Sequence, residues 1–328
     1  MVPEPLTTLL RRHRDHYAPV YPPDQNSDHA PMACLAMHGL GFDAASIERF
    51  MASYCDKLAP LASSPHTVTV DNWRACAGSY AGYAALLDFF DREIAARGWQ
   101  AVLAEHLPHL VSGWVRDAFH PLIRLGYGVE FDVASEVAAG LAYWACMGDD
   151  PALAALADRS AVSASGSDYF RCLQSQRDAR FSRGPFNDRY AAIVAALELA
   201  PVEGSLEHVL PELGRACLAI FDATHDFFAL HLVTAGHAFR VCAPWAGQAA
   251  VRLFGVGLAS AYLAIGAPDF AHPTRPEAAL PRSELVHATD EHDLKLAYSC
   301  KAQAAAWQEP AFEWCAAAYL EPRLGNAH

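Results

Sequence analysis

The chain has 328 residues, 53% of them hydrophobic, a net charge of −13 and 16 histidines. That length is enough for one large domain or two ordinary ones with a sizeable core, and the composition suits a globular helical protein rather than a disordered one. The negative charge, with no basic stripe, argues against nucleic acid and anionic membrane surfaces as partners.

In chain order, residues 1–27 form a short helix and an extended lead-in, ahead of a helical domain over 28–328. Asp28 is placed to cap a helix with Pro31 in its first turn, running through Ala33, Cys34, Leu35 and Met37 to Gly39. Asp43 caps the next, where Ile47, Phe50, Met51, Tyr54, Cys55 and Leu58 recur at helical spacing. Thr67 to Val70 is a small strand or an extended link. Helical patterns follow at Tyr80–Arg97, Trp99–Leu107, Leu110–Leu125, Val133–Met147, Asp188–Glu198, Leu206–Val241, Ala249–Ala264, Asp293–Trp307 and Ala311–Leu320. Segments 158–187 and 266–282 are polar or proline-rich and are expected to be loops. With neither strand–helix alternation nor an internal repeat, the fold class is all-α: a single multi-helix domain with its site in the helical core. A boundary near 160–185 is the competing arrangement.

No stretch reaches the roughly 18 uncharged apolar residues of a membrane span. Ala249–Ala267 comes closest but contains Arg252 and three glycines. The nine cysteines are scattered, odd in number and without a CxxC pair, which predicts reduced thiols and a cytoplasmic protein. Phe254-Gly255-Val256-Gly257 has two glycines at dinucleotide spacing, but no preceding strand or third glycine, so it is assigned to close helix packing.

Four histidine-bearing stretches carry the candidate chemistry. The first is Asp28-His29-Ala30-Pro31-Met32. In the second, Phe119-His120-Pro121-Leu122-Ile123-Arg124-Leu125-Gly126-Tyr127-Gly128, the polar residues His120, Arg124 and Tyr127 line one helix face. In the third, His225-Asp226-Phe227-Phe228-Ala229-Leu230-His231-Leu232-Val233-Thr234, His225, His231 and His237 lie about 240° apart in turn. A regular helix then presents only one inward, and the surroundings of His231 make it the deepest. The fourth is Asp290-Glu291-His292-Asp293-Leu294-Lys295-Leu296, with His292 and Lys295 on one face. Taken singly, each histidine is more often a satisfied structural residue than a ligand. Together they suit a helix-bundle core with inward nitrogen ligands. Lys295 is one of only three lysines, in a protein that otherwise uses arginine. A buried amine that loses its proton adds carbon dioxide to become a carbamate, an oxygen ligand resembling a carboxylate.

These four blocks, in this order across residues 28 to 300, resemble the questin oxidase-like family. The family is helical, and its fungal members cleave a ring of anthraquinone-type polyketides, by NADPH-requiring Baeyer–Villiger-like oxidation or by iron-dependent dioxygenation. The iron-dependent form implies a non-haem metal held by four histidines and a carbamylated lysine. Carried over by motif, these are His29, His120, His231, His292 and Lys295, with His287, His225 and His38 as substitutes under a different register.

The resulting expectation is a cofactor-free or iron-dependent oxygenase whose partners are dioxygen and an aromatic or quinone-type small molecule. Arg124 and Tyr127 would orient or protonate an oxygen-bearing group. NADPH remains a cofactor candidate without a binding fingerprint. Two other classes compete: an all-helical metal-dependent phosphohydrolase using His225-Asp226 and Asp290, and a non-catalytic helical binding protein with structural histidines.

Overall fold

The computed structural model describes residues 2–23, 25–64, 67–163, 166–273 and 290–324. His287 and the end of the expected 266–282 loop lie outside the described residues. Among those described, the chain is all-α, with one two-stranded ribbon that the sequence did not announce (β1, Val20–Tyr21; β2, Asn26–Ser27). No helix of the described residues is long and apolar enough to cross a membrane. The chain divides into two compact units, one of residues 1–149 with 244–247 and one of 150–243 with 248–328.

The first unit holds α1 (Glu4–His16), α2 (Ala30–Leu40), α3 (Ala44–Cys55), α4 (Tyr83–Arg97), α5 (Trp99–Leu110), α6 (His120–Glu130) and α7 (Ala134–Met147). Residues 67–69 are an extended link. In α3 the Asp43 side chain accepts the Ser46 N–H, and Ile47, Met51 and Tyr54 form the buried stripe. The cap of α2 sits one residue later than expected: His29 is the N-cap, and Asp28 accepts the Ala30 N–H from outside the helix.

The pattern over 110–125 does not make one helix. Two 3₁₀ turns, Val111–Gly113 and Arg116–Phe119, precede α6, and Asp117, Ala118 and Phe119 all have positive φ (53°, 48° and 71°). Helices α6 and α7 are buried on every side from His120 to Val129 and from Glu136 to Cys146. Their close crossing needs glycine. A Cβ at Gly140 would lie 2.6 Å from the Leu125 Cα, and one at Gly128 2.7 Å from the Val137 nitrogen.

The second unit holds α8 (Pro151–Ala157), α9 (Gly166–Leu173), α10 (Phe186–Ala196), α11 (Leu206–Thr224), α12 (Phe227–Cys242), α13 (Ala250–Ala264), α14 (Glu291–Trp307) and α15 (Ala311–Leu324). Helix α9 lies in the expected 158–187 loop; its buried Tyr169, Phe170 and Leu173 anchor a segment whose polar residues hid the pattern. The expected 206–241 helix is two. His225 turns left-handed (φ 49°), and Asp226 caps α12 by accepting the Phe228 and Ala229 N–H groups. From Ala229 to Phe239 every residue of α12 is buried, so His231 and His237 are both enclosed, against the expectation that only one could be. A helix surrounded on all faces has no outward side on which to put the second imidazole.

Candidate functional site

In the first unit, His29 and His120 meet: their rings stack at 4.6 Å between centroids, with 25° between planes. His29 is buried at the start of α2, where its N–H donates to the Tyr54 hydroxyl (3.1 Å). His120 opens α6, and its Nδ1 lies 2.6 Å from the Asp117 carbonyl oxygen. A carbonyl only accepts, so the proton sits on Nδ1 and the ring's lone pair on Nε2.

What aims His120 is the left-handed stretch before it. The Asp117 carboxylate is held by three hydroxyls: Ser27 (3.1 Å) and Tyr80 (3.2 Å), with Tyr143 in a very short bond. Burial, with the Asp117 charge beside them, pushes both phenols above their ordinary range, so they remain donors. This cluster stabilises a backbone that alanine and phenylalanine resist. Ala118→Gly is therefore expected to stabilise the protein by about 1 kcal/mol, read as a higher denaturation midpoint at unchanged slope. A destabilised variant would show that the turn is unstrained.

Behind the histidine pair runs a buried charge network. Arg124 donates from Nε to Glu136 Oε2 (3.1 Å) and lies 3.9 Å from Asp28 Oδ2, which is itself 2.7 Å from His13 Nε2. Burial works against the Arg124 charge, but Glu136, Tyr83 and Asp28 outweigh it and raise its pKa. Tyr127 is buried with its ring parallel to Phe131 at 6.2 Å. The substitute His38 is half-buried, 5.9 Å from the Phe131 ring.

In the second unit, His231, His292 and Lys295 are gathered by α12 and α14. His231 repeats the His120 arrangement, with Nδ1 2.7 Å from the Phe227 carbonyl oxygen. Its ring lies 5.3 Å from that of His292, at 63°. Phe227, half-exposed, covers both, at 4.6 and 4.8 Å. Asp290 caps α14 through the His292 and Asp293 N–H groups and reaches His292 Nδ1 at 3.4 Å. Hydrogen bonding to His292 holds the Asp290 carboxyl well below the usual range. Lys295, one turn on, is fully enclosed; burial brings its ammonium down to about 7 against the opposing pull of Glu291 and Asp290. Burial, and then the Lys295 charge, lower the pKa of His292.

The substitute His225 is exposed at the end of α11. Asp226, which the phosphohydrolase alternative needs as a ligand, has Oδ1 committed to capping α12. His237 is enclosed with Nδ1 3.2 Å from Ser299 Oγ, and Gln303 bonds the Val233 and Ser299 carbonyls beside it.

A family model described as questin oxidase-like matches residues 26–300. The chain belongs to the questin oxidase-like family. Similar proteins include a questin oxidase of Aspergillus terreus, 26% identical over 281 residues, covering 72% of this chain and 63% of that one. A Baeyer-Villiger oxidase of Pestalotiopsis fici is 26% identical over 197 residues, covering 56% of this chain and 40% of its own. Another, of Paecilomyces divaricatus, is 30% identical over 164 residues, 45% of this chain and 34% of its own. The chain thus spans between 34% and 63% of the length of these relatives.

The match over 26–300 spans all five residues carried over for the metal in this questin oxidase-like chain. Their chemistry fits a metal: two imidazoles have their second nitrogen on a backbone carbonyl, the support that metal-ligating histidines ordinarily have. Sequence reasoning missed Glu136, His13, Asp117 and the two tyrosines. Glu136 had a signal, as the one acid inside the apolar 133–147 pattern. Asp117 had none.

Proposed function

We propose that this chain is an oxidoreductase: an oxygenase that uses dioxygen on an aromatic or quinone-type small molecule, with non-haem iron held by His29, His120, His231, His292 and Lys295. The reading is carried by the shared arrangement of His120 and His231, each with Nδ1 on a backbone carbonyl, the support that metal-ligating histidines ordinarily have. Family membership supports it, as do the relatives' names, questin oxidase and Baeyer-Villiger oxidase. Iron bound there would supply the activation of dioxygen.

The chain's own residues do the rest. The enclosed Lys295 amine, near 7, has a neutral fraction at physiological pH. As it adds carbon dioxide, an N–C bond forms and one proton leaves, giving a carbamate whose oxygens are anionic ligands among neutral imidazoles. Phe227 screens His231 and His292 from water. Arg124 acts as a positioning residue, because Glu136 and Asp28 engage its guanidinium beside the elements that carry His120 and His29. Tyr127 lies one turn further along the same α6 face, as a proton donor for an oxygen-bearing group.

NADPH-using Baeyer–Villiger-like oxidation is the second reading, favoured by the relatives named for it. Dioxygen uptake on a hydroxyanthraquinone separates the two. The iron reading expects uptake with iron(II) that is unchanged by NADPH. Uptake that needs one equivalent of NADPH per turnover and survives chelation supports the other, and no uptake under either condition overturns the oxygenase proposal.

A further inference from the structure

Cys55 ends α3, and its Sγ lies 3.6 Å from Nδ1 of His13 in α1. On the far side of the ring, His13 Nε2 lies 2.7 Å from Asp28 Oδ2. His13 and Asp28 are buried and Cys55 is half-buried. All three belong to the first unit. The sulfur and the imidazole line a cavity of about 360 Å³, whose wall also includes Leu9, Arg12, Tyr17 and Met51. The Tyr17 side chain stands on the same wall as the sulfur. Of the other eight cysteines, six (Cys34, Cys146, Cys217, Cys242, Cys300 and Cys315) are buried, Cys76 is half-buried and Cys172 is exposed.

The order thiol, imidazole, carboxylate is the one in which a nucleophile is activated. The Asp28 carboxylate needs a donor, so the His13 proton sits on Nε2 and the Nδ1 lone pair faces the thiol. Burial pushes the Cys55 thiol up, so the resting sulfur keeps its proton and needs the imidazole to remove it. The metal reading uses Asp28, which engages Arg124 and supports the start of α2, and reaches His13 only through Asp28; it makes no use of Cys55 or the cavity.

We propose that Cys55, His13 and Asp28 form a second, thiol-based site that cleaves small apolar esters by acyl transfer. The sulfur adds to the ester carbonyl as its proton passes to His13 Nδ1. The Tyr17 hydroxyl, from the same cavity wall, donates to the carbonyl oxygen as it gains negative charge. The C–O bond then breaks, and the imidazolium, held by Asp28, returns its proton to the leaving alcohol. The product is a thioester on Cys55. Water, deprotonated by His13, adds to that thioester, the acid leaves, and the thiol is restored. The apolar side chains of Leu9 and Met51 suit the acyl or aryl part of the ester.

The test is incubation of the full chain with p-nitrophenyl acetate, following nitrophenolate release and locating the acetyl group by peptide mass. The expected result is a burst of one nitrophenolate per chain with the acetyl group on Cys55. It should disappear in Cys55→Ala and persist in Cys172→Ala. In His13→Asn, acetylation should slow at least about 100-fold, the usual loss on removing a general base. Should His13→Asn fail to fold, the wild-type competition decides: Cys55 must acetylate faster than the exposed Cys172. Acetyl groups found first on Cys172, or a burst that survives Cys55→Ala, would overturn the proposal.

Discussion

Glu136→Ala should lose about 3–5 kcal/mol of stability, the usual cost of leaving one member of a buried ion pair without its partner. Both groups are almost wholly enclosed, with Arg124 at 1% and Glu136 at 0% exposure. Among the described residues, the carboxylate left to the guanidinium is Asp28 at 3.9 Å, and Asp28 is already engaged with His13. The network ties α1, α6 and α7 to the residue before His29, so the loss should extend to the whole first unit. The paired replacement Arg124→Met with Glu136→Leu removes both charges from the same enclosed volume. It should recover most of the loss, since well-packed apolar pairs substitute for buried ion pairs with little penalty. Denaturant midpoints at unchanged slope measure both. A loss below about 1 kcal/mol in Glu136→Ala would place this pair in the energy range of solvent-exposed bridges and remove the network from the account.

The second large effect separates two histidines that are equally buried in one helix. His231→Ala should weaken iron binding by at least about 100-fold, the upper end of what is lost when only an outer partner of a metal ligand is removed. His237→Ala should keep iron at the wild-type level and instead cost about 2–3 kcal/mol of stability, through a cavity and the lost contact with Ser299. The contrast follows from their bonds. His231 offers Nδ1 to its own backbone and stands beside His292, whereas His237 is engaged with Ser299 in the α12–α14 packing. Iron loss in His237→Ala with full retention in His231→Ala would reverse the assignment.

Much of the architecture was legible wherever local rules and burial agree. Asp43 with Ile47, Met51 and Tyr54 is a cap and a stripe, and it forms as such. Asp290 before the His292–Lys295 face behaves likewise. The break at His225-Asp226 was also written locally, as an Asp able to cap the helix after it, but the continuous apolar pattern across 206–241 concealed it. The left-handed run at 117–119 was not legible. Alanine and phenylalanine disfavour positive φ, and hydroxyls from residues 27, 80 and 143, remote in sequence, decide the conformation. Similarly, the period of α12 points His231 and His237 different ways, and only the enclosure of the whole helix buries both. The candidate ligands were reached through motif resemblance. Their supporting bonds (the Asp117 and Phe227 carbonyls, Asp290 beside His292) come from the fold.

The proposed metal chemistry turns on Lys295, and metal analysis of purified protein beside Lys295→Ala and Lys295→Arg tests it most directly. Close to one iron per wild-type chain is expected, with loss of iron in both variants, because neither a methyl group nor a guanidinium forms a carbamate. Full iron retention in both variants would contradict it.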